Sequence, residues 1–198
     1  MRLLVARLRS AGHDVVENQE PGSTAIGTQL RHILLDPAHQ EMAPMTELLL
    51  MFASRAQAAA EIIEPALERG AIVVTDRFTD STLAYQGEAR ELGFDVALAA
   101  HRIALDSLKP DLTICISLDV EAGLARARSR NEQQPALAAQ DRMDGQSLDF
   151  HRRVEAGYRK IAALEPERFY MVDGAGEPGE VAERVWALVQ PRVQIFAG

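Results

Sequence analysis

Two short apolar runs without polar alternation, at residues 71–75 and 111–118, constrain the fold more than any other feature of the chain. Each run is rich in β-branched residues, which is typical of a strand buried on both faces. Two further strand patterns lie at 14–17 and 168–172, and helical patterns separate all four. Strands that alternate with helices predict an α/β fold, here a doubly wound parallel sheet with helices on both faces.

Helical periodicity accounts for most of the remaining chain. The predicted helices cover residues 1–11, 27–35, 47–68, 81–108, 120–129, 148–164 and 180–189. Pro65 predicts a kink or a break in the third of them. No linker or internal repeat divides the sequence, so we expect one domain over 1–198 with a small lid at about 126–150.

Composition excludes several classes of protein. A chain of 198 residues that is 47% apolar and 25% charged can bury one sizeable core. Its formal charge of −8 argues against sequence-independent nucleic-acid binding, so an anionic ligand must meet a local basic cluster. The single cysteine, Cys115, lies in an apolar run and predicts a buried thiol in a reducing compartment. Without a membrane-span or signal-peptide pattern, we expect a cytoplasmic protein.

The candidate site follows the buried strand at 71–75, because ligands of doubly wound sheets bind beyond the carboxyl ends of the strands. Asp76 and Arg77 come directly after that strand. The planar guanidinium of Arg77 suits a phosphate or carboxylate, and Asp76 can orient it or hold a hydrated Mg²⁺. A surface Asp-Arg pair is the alternative interpretation.

The segment that continues from Arg77 offers groups able to recognise a nucleobase edge. Thr82, Tyr85 and Gln86 fall within about one helical turn of one another. Their hydroxyls and amide can donate and accept hydrogen bonds, although Tyr85 alone also fits a packing role. In the helix at 47–68, Arg55 follows an apolar run and needs a polar partner if buried. Phe52 fits a core position and a ligand contact equally well.

A second arginine group lies near the predicted lid. Arg126, Arg128 and Arg130 recur at a spacing of two, and Arg142 follows a polar stretch. This spacing does not line one helix face, so a solvated helix competes with a lid that closes over phosphates. Residues 22–29 mimic the glycine spacing of a phosphate-binding loop but lack its lysine, so we reject that interpretation. We find no Cys/His metal cluster and no side-chain nucleophile paired with a base.

Taken in order, several segments make a specific pattern over nearly the whole chain. They are Glu20-Pro21-Gly22 and residues 47–55, 76–87, 109–112, 141–144 and 148–151. The chain resembles the bacterial thymidylate kinases, P-loop enzymes that move the γ-phosphoryl group of ATP to thymidine monophosphate (dTMP). The resemblance implies ATP and dTMP as ligands and Mg²⁺ as cofactor, with neither nucleic acid nor membrane as partner. It also implies a homodimer.

The resemblance assigns roles to the candidate residues. Arg77 would hold the acceptor phosphate, Tyr85 would pack against the deoxyribose, and Arg55 and Gln86 with Thr82 would read thymine. Further pocket residues would be Glu20, Arg31, Met51 and Phe52. On the donor side, Asp76 would act near Mg²⁺, Arg126 would stack on adenine beside Arg128 and Arg130, and Arg142 would help to close the lid.

The chain departs from the family pattern at three places. Family members begin with a strand and a G-x-x-x-x-G-K-[ST] loop, whereas this sequence starts inside the helix that should follow, so the first central strand and the P-loop are absent from it. We expect the protein to start upstream of Met1; loss of the loop is the alternative. Gln19 stands where the family usually has an arginine. Met51 stands where many family members have an aromatic ring that stacks on thymine.

Two rival functions remain open from the sequence. Another nucleoside monophosphate kinase would differ in its preference between dTMP and uridine monophosphate. A non-catalytic nucleotide-binding relative that has lost the phosphate-binding loop would bind dTMP without ATP turnover. The leading interpretation is a dTMP kinase that supplies DNA precursors.

Overall fold

A computed structural model describes residues 1–133, 142–143 and 145–196, without the side chains of residues 128, 130–133 and 194–196. It confirms the alternation of helices and short strands. The helices are α1 Arg2–Ser10, α2 Ala25–Leu35, α3 Pro44–Ala58, α4 Glu64–Glu68, α5 Thr79–Thr82, α6 Phe94–Leu105, α7 Val120–Gln133, α8 Leu148–Leu164 and α9 Pro178–Phe196. The strands are β1 Val15–Asn18, β2 Ile72–Thr75, β3 Thr113–Ser117 and β4 Phe169–Asp173.

The four strands form two parallel pairs. β1 pairs with β2 in the register Val15 opposite Ile72, and β3 pairs with β4 in the register Thr113 opposite Phe169. Within the described residues, each pair has a sheet of its own. The expectation that β2 and β3 are buried on both faces is wrong: both are mostly half-buried, because each has a strand partner on one side only in the described part of the chain.

Helices nevertheless cover both faces of the strands. Alternate side chains of the strands, such as Val73 and Met171, pack into a core with α3, α6 and α8. Their neighbours Ile72 and Val172 pack into a second core with α1 and α9. This alternation follows from the two-residue period of a strand. Cys115 is half-buried rather than fully buried, and it packs against the first core. Burial raises the pKa of its thiol to about 11, so it stays protonated at neutral pH.

Two helical patterns contain wider π turns. The predicted helix at 47–68 is α3 and α4 joined by a π turn at Ala59–Ile63, just before Pro65, which lacks the N–H that would continue the regular ladder. The pattern at 81–108 begins with α5 and a π turn at Leu83–Ala89 before α6. No helix within the described ranges combines the length and apolarity needed to cross a membrane.

Candidate active site

A cavity of about 290 Å³ lies at the carboxyl ends of β1 and β2. Loops that leave these strands form one wall, and α2, α3 and the π turn at Leu83–Ala89 form the others. The lining residues are Gln19, Glu20, Pro21, Arg31, Leu35, Met51, Arg55, Asp76, Arg77, Ser81, Thr82, Tyr85, Gln86 and Met143. Both acidic and basic groups therefore converge on one concave surface.

Arg55 is a buried, rigidly held cation in the wall of the cavity. Its Nε donates to a carboxylate oxygen of Glu20, and its Nη1 donates to Thr82 Oγ1 at 3.0 Å. The rings of Phe52 and Phe78 lie 5.1 and 5.3 Å from the guanidinium carbon. Burial raises the pKa of Glu20, and the charge of Arg55 offsets part of this effect. Among the described residues no acceptor engages Nη2, so this group can donate to a ligand.

Gln86 places a second polar group in the wall. Its amide nitrogen donates to Glu47 Oε1 at 2.7 Å, while its carbonyl oxygen has no partner within the part of the chain that the structure describes. Arg55 and Gln86 therefore offer the cavity one hydrogen-bond donor and one acceptor. A ring edge that carries a carbonyl beside an N–H would complement this pair.

A second group of charges consists of Arg31, Asp76 and Arg77. Arg31 donates to the Pro21 carbonyl at 2.8 Å, and its aliphatic part lies against Gly22, where an added Cβ would come within 3.1 Å of Arg31 Cδ. Burial lowers the pKa of Arg31, with Asp76 opposing and Arg77 adding to the shift. The expected local basic cluster is therefore present in a chain of negative net charge.

Tyr85 connects the exposed Arg77 to the core. The guanidinium carbon of Arg77 lies 5.0 Å from the centre of the Tyr85 ring. On its other sides the ring makes edge contacts with Phe150 and Tyr158, at centroid distances of 6.1 and 6.4 Å. Tyr85 therefore packs against core rings and lines the cavity at the same time.

The structure brings most of the predicted site residues together. Nine of them line the cavity: Glu20, Arg31, Met51, Arg55, Asp76, Arg77, Thr82, Tyr85 and Gln86. Phe52 does not, because its ring is buried in the core beneath Arg55. Met51 is therefore the member of this pair that faces the cavity.

Of the four arginines predicted near the lid, the structure describes the side chains of Arg126 and Arg142. Arg142 is only 1% exposed and is ion-paired to Glu47 at 2.6 Å, and it is not among the residues that line the cavity. Arg126 is exposed on α7. The side chains of Arg128 and Arg130, and residues 134–141 and 144 of the expected lid, lie outside the described residues.

Sequence reasoning did not single out Glu47, which lies behind Gln86 in the wall of the cavity. This carboxylate is fully buried and accepts hydrogen bonds from Gln86, Arg90 and Arg142. Burial alone would raise its pKa, but these hydrogen bonds and the two arginine charges outweigh that effect and lower it. In the sequence, Glu47 is recognisable only as an acidic residue at the start of an apolar helix. Such a residue is equally explained by its favourable interaction with the helix N-terminus.

The position of Asp76 suits a magnesium ligand. One of its oxygens accepts from the Glu20 backbone N–H at 2.8 Å, and its exposed side chain leaves the other oxygen accessible. The described residues contain no group of three or more His, Cys, Asp or Glu arranged for a metal. Mg²⁺ needs no such cage, since it keeps several waters and binds through one or two carboxylates and substrate phosphates.

The fold and the site together define a class of protein. The fold has parallel strands between helices. At the carboxyl ends of two strands, the site combines arginines with a hydrogen-bond donor and acceptor. This combination is typical of α/β proteins that bind an anionic small molecule with a polar ring.

Comparisons with known proteins give the family. The family model described as "Thymidylate kinase" matches residues 1–185. A thymidylate kinase of Synechococcus sp. (strain JA-2-3B'a(2-13)) is 44% identical over 195 residues, which cover 98% of this chain and 88% of the relative. One from Desulfovibrio desulfuricans is 47% identical over 88% of this chain and 80% of its own length. The chain belongs to the thymidylate kinase family, and it is a phosphotransferase of the P-loop nucleoside monophosphate kinase type.

Proposed function

We propose that this chain transfers the γ-phosphoryl group of ATP to dTMP and so forms dTDP, within a single nucleoside monophosphate kinase domain. The observation that carries this proposal is the cavity at the ends of β1 and β2, where an arginine cluster and a donor-acceptor pair share one surface. A nucleoside monophosphate has matching parts, a dianionic phosphate and a base edge. The same proposal includes a doubly wound sheet and a lid at about 126–150.

Arg77 would bind the acceptor phosphate, with Arg31 beside it. Phosphoryl transfer needs the attacking phosphate oxygen in line with the γ-phosphorus and needs the accumulated negative charge neutralised. A guanidinium suits both tasks because its planar fork binds two phosphate oxygens and keeps its charge at all physiological pH values. The guanidinium of Arg77 stacks on the ring of Tyr85, and this ring would also pack against the deoxyribose.

Arg55 and Gln86 would read the base. Thymine presents the O4 carbonyl next to the N3–H group, and these match a donor from Arg55 and the acceptor of Gln86. Thr82 supports Arg55 through its hydroxyl. Met51, half-buried in the wall, would contact the flat face of the ring in place of an aromatic residue.

On the donor side, Asp76 would hold hydrated Mg²⁺, which when bound neutralises phosphate charge. The carboxylate is fixed by the Glu20 N–H and lies near Arg77 at the end of β2. Arg126 would stack on the adenine of ATP from α7.

Steady-state kinetics with purified protein test the proposal. We expect ATP-dependent phosphorylation of dTMP, with kcat/KM for dTMP exceeding that for UMP at least about a hundredfold, because a 2′-hydroxyl would clash with Tyr85 in the proposed binding mode. Calorimetry should also show that thymidine without its phosphate binds far more weakly than dTMP. Equal turnover of dTMP and UMP would contradict the assignment of Tyr85, and absence of dTMP phosphorylation would contradict the function.

We also propose a homodimer. Apolar residues of α3 and α6 line a second, open groove, and several of them are exposed: Met45 43%, Leu49 57%, Val96 38% and Ile103 89%. A second copy would cover this strip, since contiguous exposed apolar surface marks an interface. Sedimentation velocity should give a dimer for the native protein and a monomer for Ile103→Asp. A native monomer at micromolar concentration would contradict the proposal.

A further inference from the structure

Glu47 organises a hydrogen-bond network directly behind the base-reading wall of the cavity. Its Oε1 accepts from Gln86 Nε2 at 2.7 Å and from Arg90 Nε at 3.2 Å. Its Oε2 accepts from Arg90 Nη2 at 3.2 Å and from Arg142 Nη2 at 2.6 Å. Glu47 itself does not line the cavity, so it acts on a ligand only through Gln86.

The network determines which way the Gln86 amide faces. An amide side chain can present either its carbonyl or its NH₂ group to a ligand, and the two differ in hydrogen-bond sense. An ionised carboxylate only accepts, so the NH₂ group of Gln86 must face Glu47 and the carbonyl must face away from it. The pKa of Glu47 is lowered by the surrounding donors, which keeps the carboxylate ionised at neutral pH.

We propose that Glu47 is a specificity-determining positioning residue: it holds the Gln86 amide with its carbonyl toward the cavity, and so selects a pyrimidine that carries an N–H at the edge facing Gln86. This inference rests on the proposed function, because it specifies how the same cavity recognises its base. Thymine meets the condition with N3–H. Cytosine presents an unprotonated N3 at that position, which would leave two acceptors facing each other in a buried wall.

The variant Glu47→Gln tests the proposal sharply, because the network dictates how the new amide must lie. Two arginine nitrogens donate to Oε2 and one, at 3.2 Å, to Oε1, so the carbonyl of the new amide is drawn to the Oε2 position. Its NH₂ group then faces Gln86, which must accept through its own carbonyl and turn its NH₂ group toward the cavity. We expect the ratio of dTMP to dCMP affinity, measured by calorimetry, to fall at least about tenfold, with dCMP binding more tightly than to the native protein.

Arg90→Met is the matched control. It removes two other hydrogen bonds from the same carboxylate but leaves the bond between Gln86 and Glu47 in place, and Arg90 does not line the cavity. We expect this variant to lose stability while its affinity ratio stays within about twofold of the native value. An equal fall of the ratio in both variants would overturn the proposal, since it would reflect general loosening of the wall.

Wild-type protein provides a test that does not depend on a folded Glu47 variant. Calorimetry should show dTMP binding at least about tenfold more tightly than dCMP and than N3-methyl-dTMP, whose methyl group removes the N–H donor. Gln86→Leu should remove most of the difference between dTMP and N3-methyl-dTMP, and only part of the difference between dTMP and dCMP, because the 4-amino group of cytosine still faces the donor of Arg55. Comparable binding of the three nucleotides to the wild type would overturn the inference, whereas failure of dTMP itself to bind would overturn the proposed function. An unchanged dTMP to dCMP ratio in Glu47→Gln, together with loss of the N3-methyl-dTMP difference in Gln86→Leu, would leave the function standing and refute only the role of Glu47.

Discussion

Arg77 is the single residue on which phosphate binding should depend most. It is exposed at the end of β2 and packs over Tyr85. We predict that Arg77→Ala weakens dTMP binding at least about a hundredfold, because loss of a charge-assisted bidentate contact costs about 3 kcal/mol. Calorimetry with dTMP and with thymidine checks this, and thymidine affinity should be unaffected.

Arg77→Lys is the corresponding control. It keeps the charge but loses the planar fork, so its dTMP affinity should fall between those of the wild type and Arg77→Ala. Unchanged dTMP affinity in Arg77→Ala would refute the placement of the phosphate.

His101 predicts a pH dependence of stability. It is buried on α6, with Nδ1 2.9 Å from Thr79 Oγ1. Burial lowers its pKa below the ordinary 6.5, and the charges of Arg55 and Arg102 act in the same direction while Asp80 opposes them. The unfolded chain therefore takes up the proton at higher pH than the folded chain, so this residue lowers the free energy of unfolding as pH falls below about 6.5.

Two measurements check the His101 prediction. Proton NMR of the imidazole should give a titration midpoint below 6.5, and urea unfolding should lose less stability between pH 7 and pH 5 in His101→Gln than in the wild type. A midpoint above 6.5 would contradict the direction of the shift.

Two of the predicted residues that line the cavity, Asp76 and Arg77, directly follow the end of a strand. Asp76 and Arg77 could be located because strand periodicity fixes where β2 ends and parallel sheets gather ligands there. Phe52 and Met51 are adjacent on one helix, and the apolar pattern could not decide which faces the cavity. Glu47 acts through Gln86, a contact between elements 39 positions apart that no local pattern encodes.

Among the helices, α8 packs so closely against the π turn at Leu83–Ala89 that only glycine fits at the contact. A Cβ at Gly157 would lie 2.8 Å from the Ala84 Cα and 3.0 Å from the Glu88 Cβ. We predict that Gly157→Ala destabilises the protein by about 1 to 3 kcal/mol, because backbone must shift to relieve the clash. The same shift would move Tyr85 and Gln86, so dTMP affinity should fall with stability.

Gly123 on α7 is the matched control for Gly157. Both are glycines inside a helix, but a Cβ at Gly123 meets only the Leu118 Cβ at 4.0 Å. Gly123→Ala should therefore be neutral or stabilise the fold by up to about 1 kcal/mol through helix propensity. Chemical unfolding gives the free energy of unfolding of both variants and so separates the packing effect from helix propensity. An equal change in this free energy in both variants would contradict the proposed contact.

Some element boundaries were predictable because they depend on local chemistry, but the predicted end of the last helix at 189 is wrong, since α9 continues to Phe196. The pattern at 148–164 matches α8, whose start is capped by Ser147 accepting from the Phe150 N–H at 3.2 Å. The π turns were not predictable, since a single widened turn keeps the apolar period of a helix almost unchanged. Strand pairing was also out of reach, because register depends on partners distant in sequence.

Over the whole molecule, side chains as well as helices join the two strand pairs. Asp80 on α5, just after β2, accepts two hydrogen bonds from Arg168 at 2.8 Å each and one from Thr113 Oγ1 at 2.6 Å. Thr113 begins β3, and Arg168 immediately precedes β4. The side chains of Asp80 and Arg168 are 6% and 11% exposed. This ion pair therefore ties the site-bearing end of β2 to the second pair of strands.

Removing Asp80 should weaken the connection between the two strand pairs. Asp80→Ala leaves the mostly buried Arg168 with Glu165 as its remaining acidic partner, and loss of one member of a buried pair costs about 3 kcal/mol or more. Asp14→Ala is the control, because Asp14 pairs with Arg69 on the surface, where both side chains are at least half exposed and such pairs contribute under about 1 kcal/mol. Urea unfolding followed by circular dichroism and by the fluorescence of Trp186, which packs in the second core, measures both variants. We expect Asp80→Ala to lower the urea midpoint strongly. If the strand pairs lose their coupling, the transition followed by circular dichroism and the one followed by Trp186 fluorescence should no longer coincide. Effects of equal size in Asp80→Ala and Asp14→Ala would show that the buried pair does not join the strand pairs.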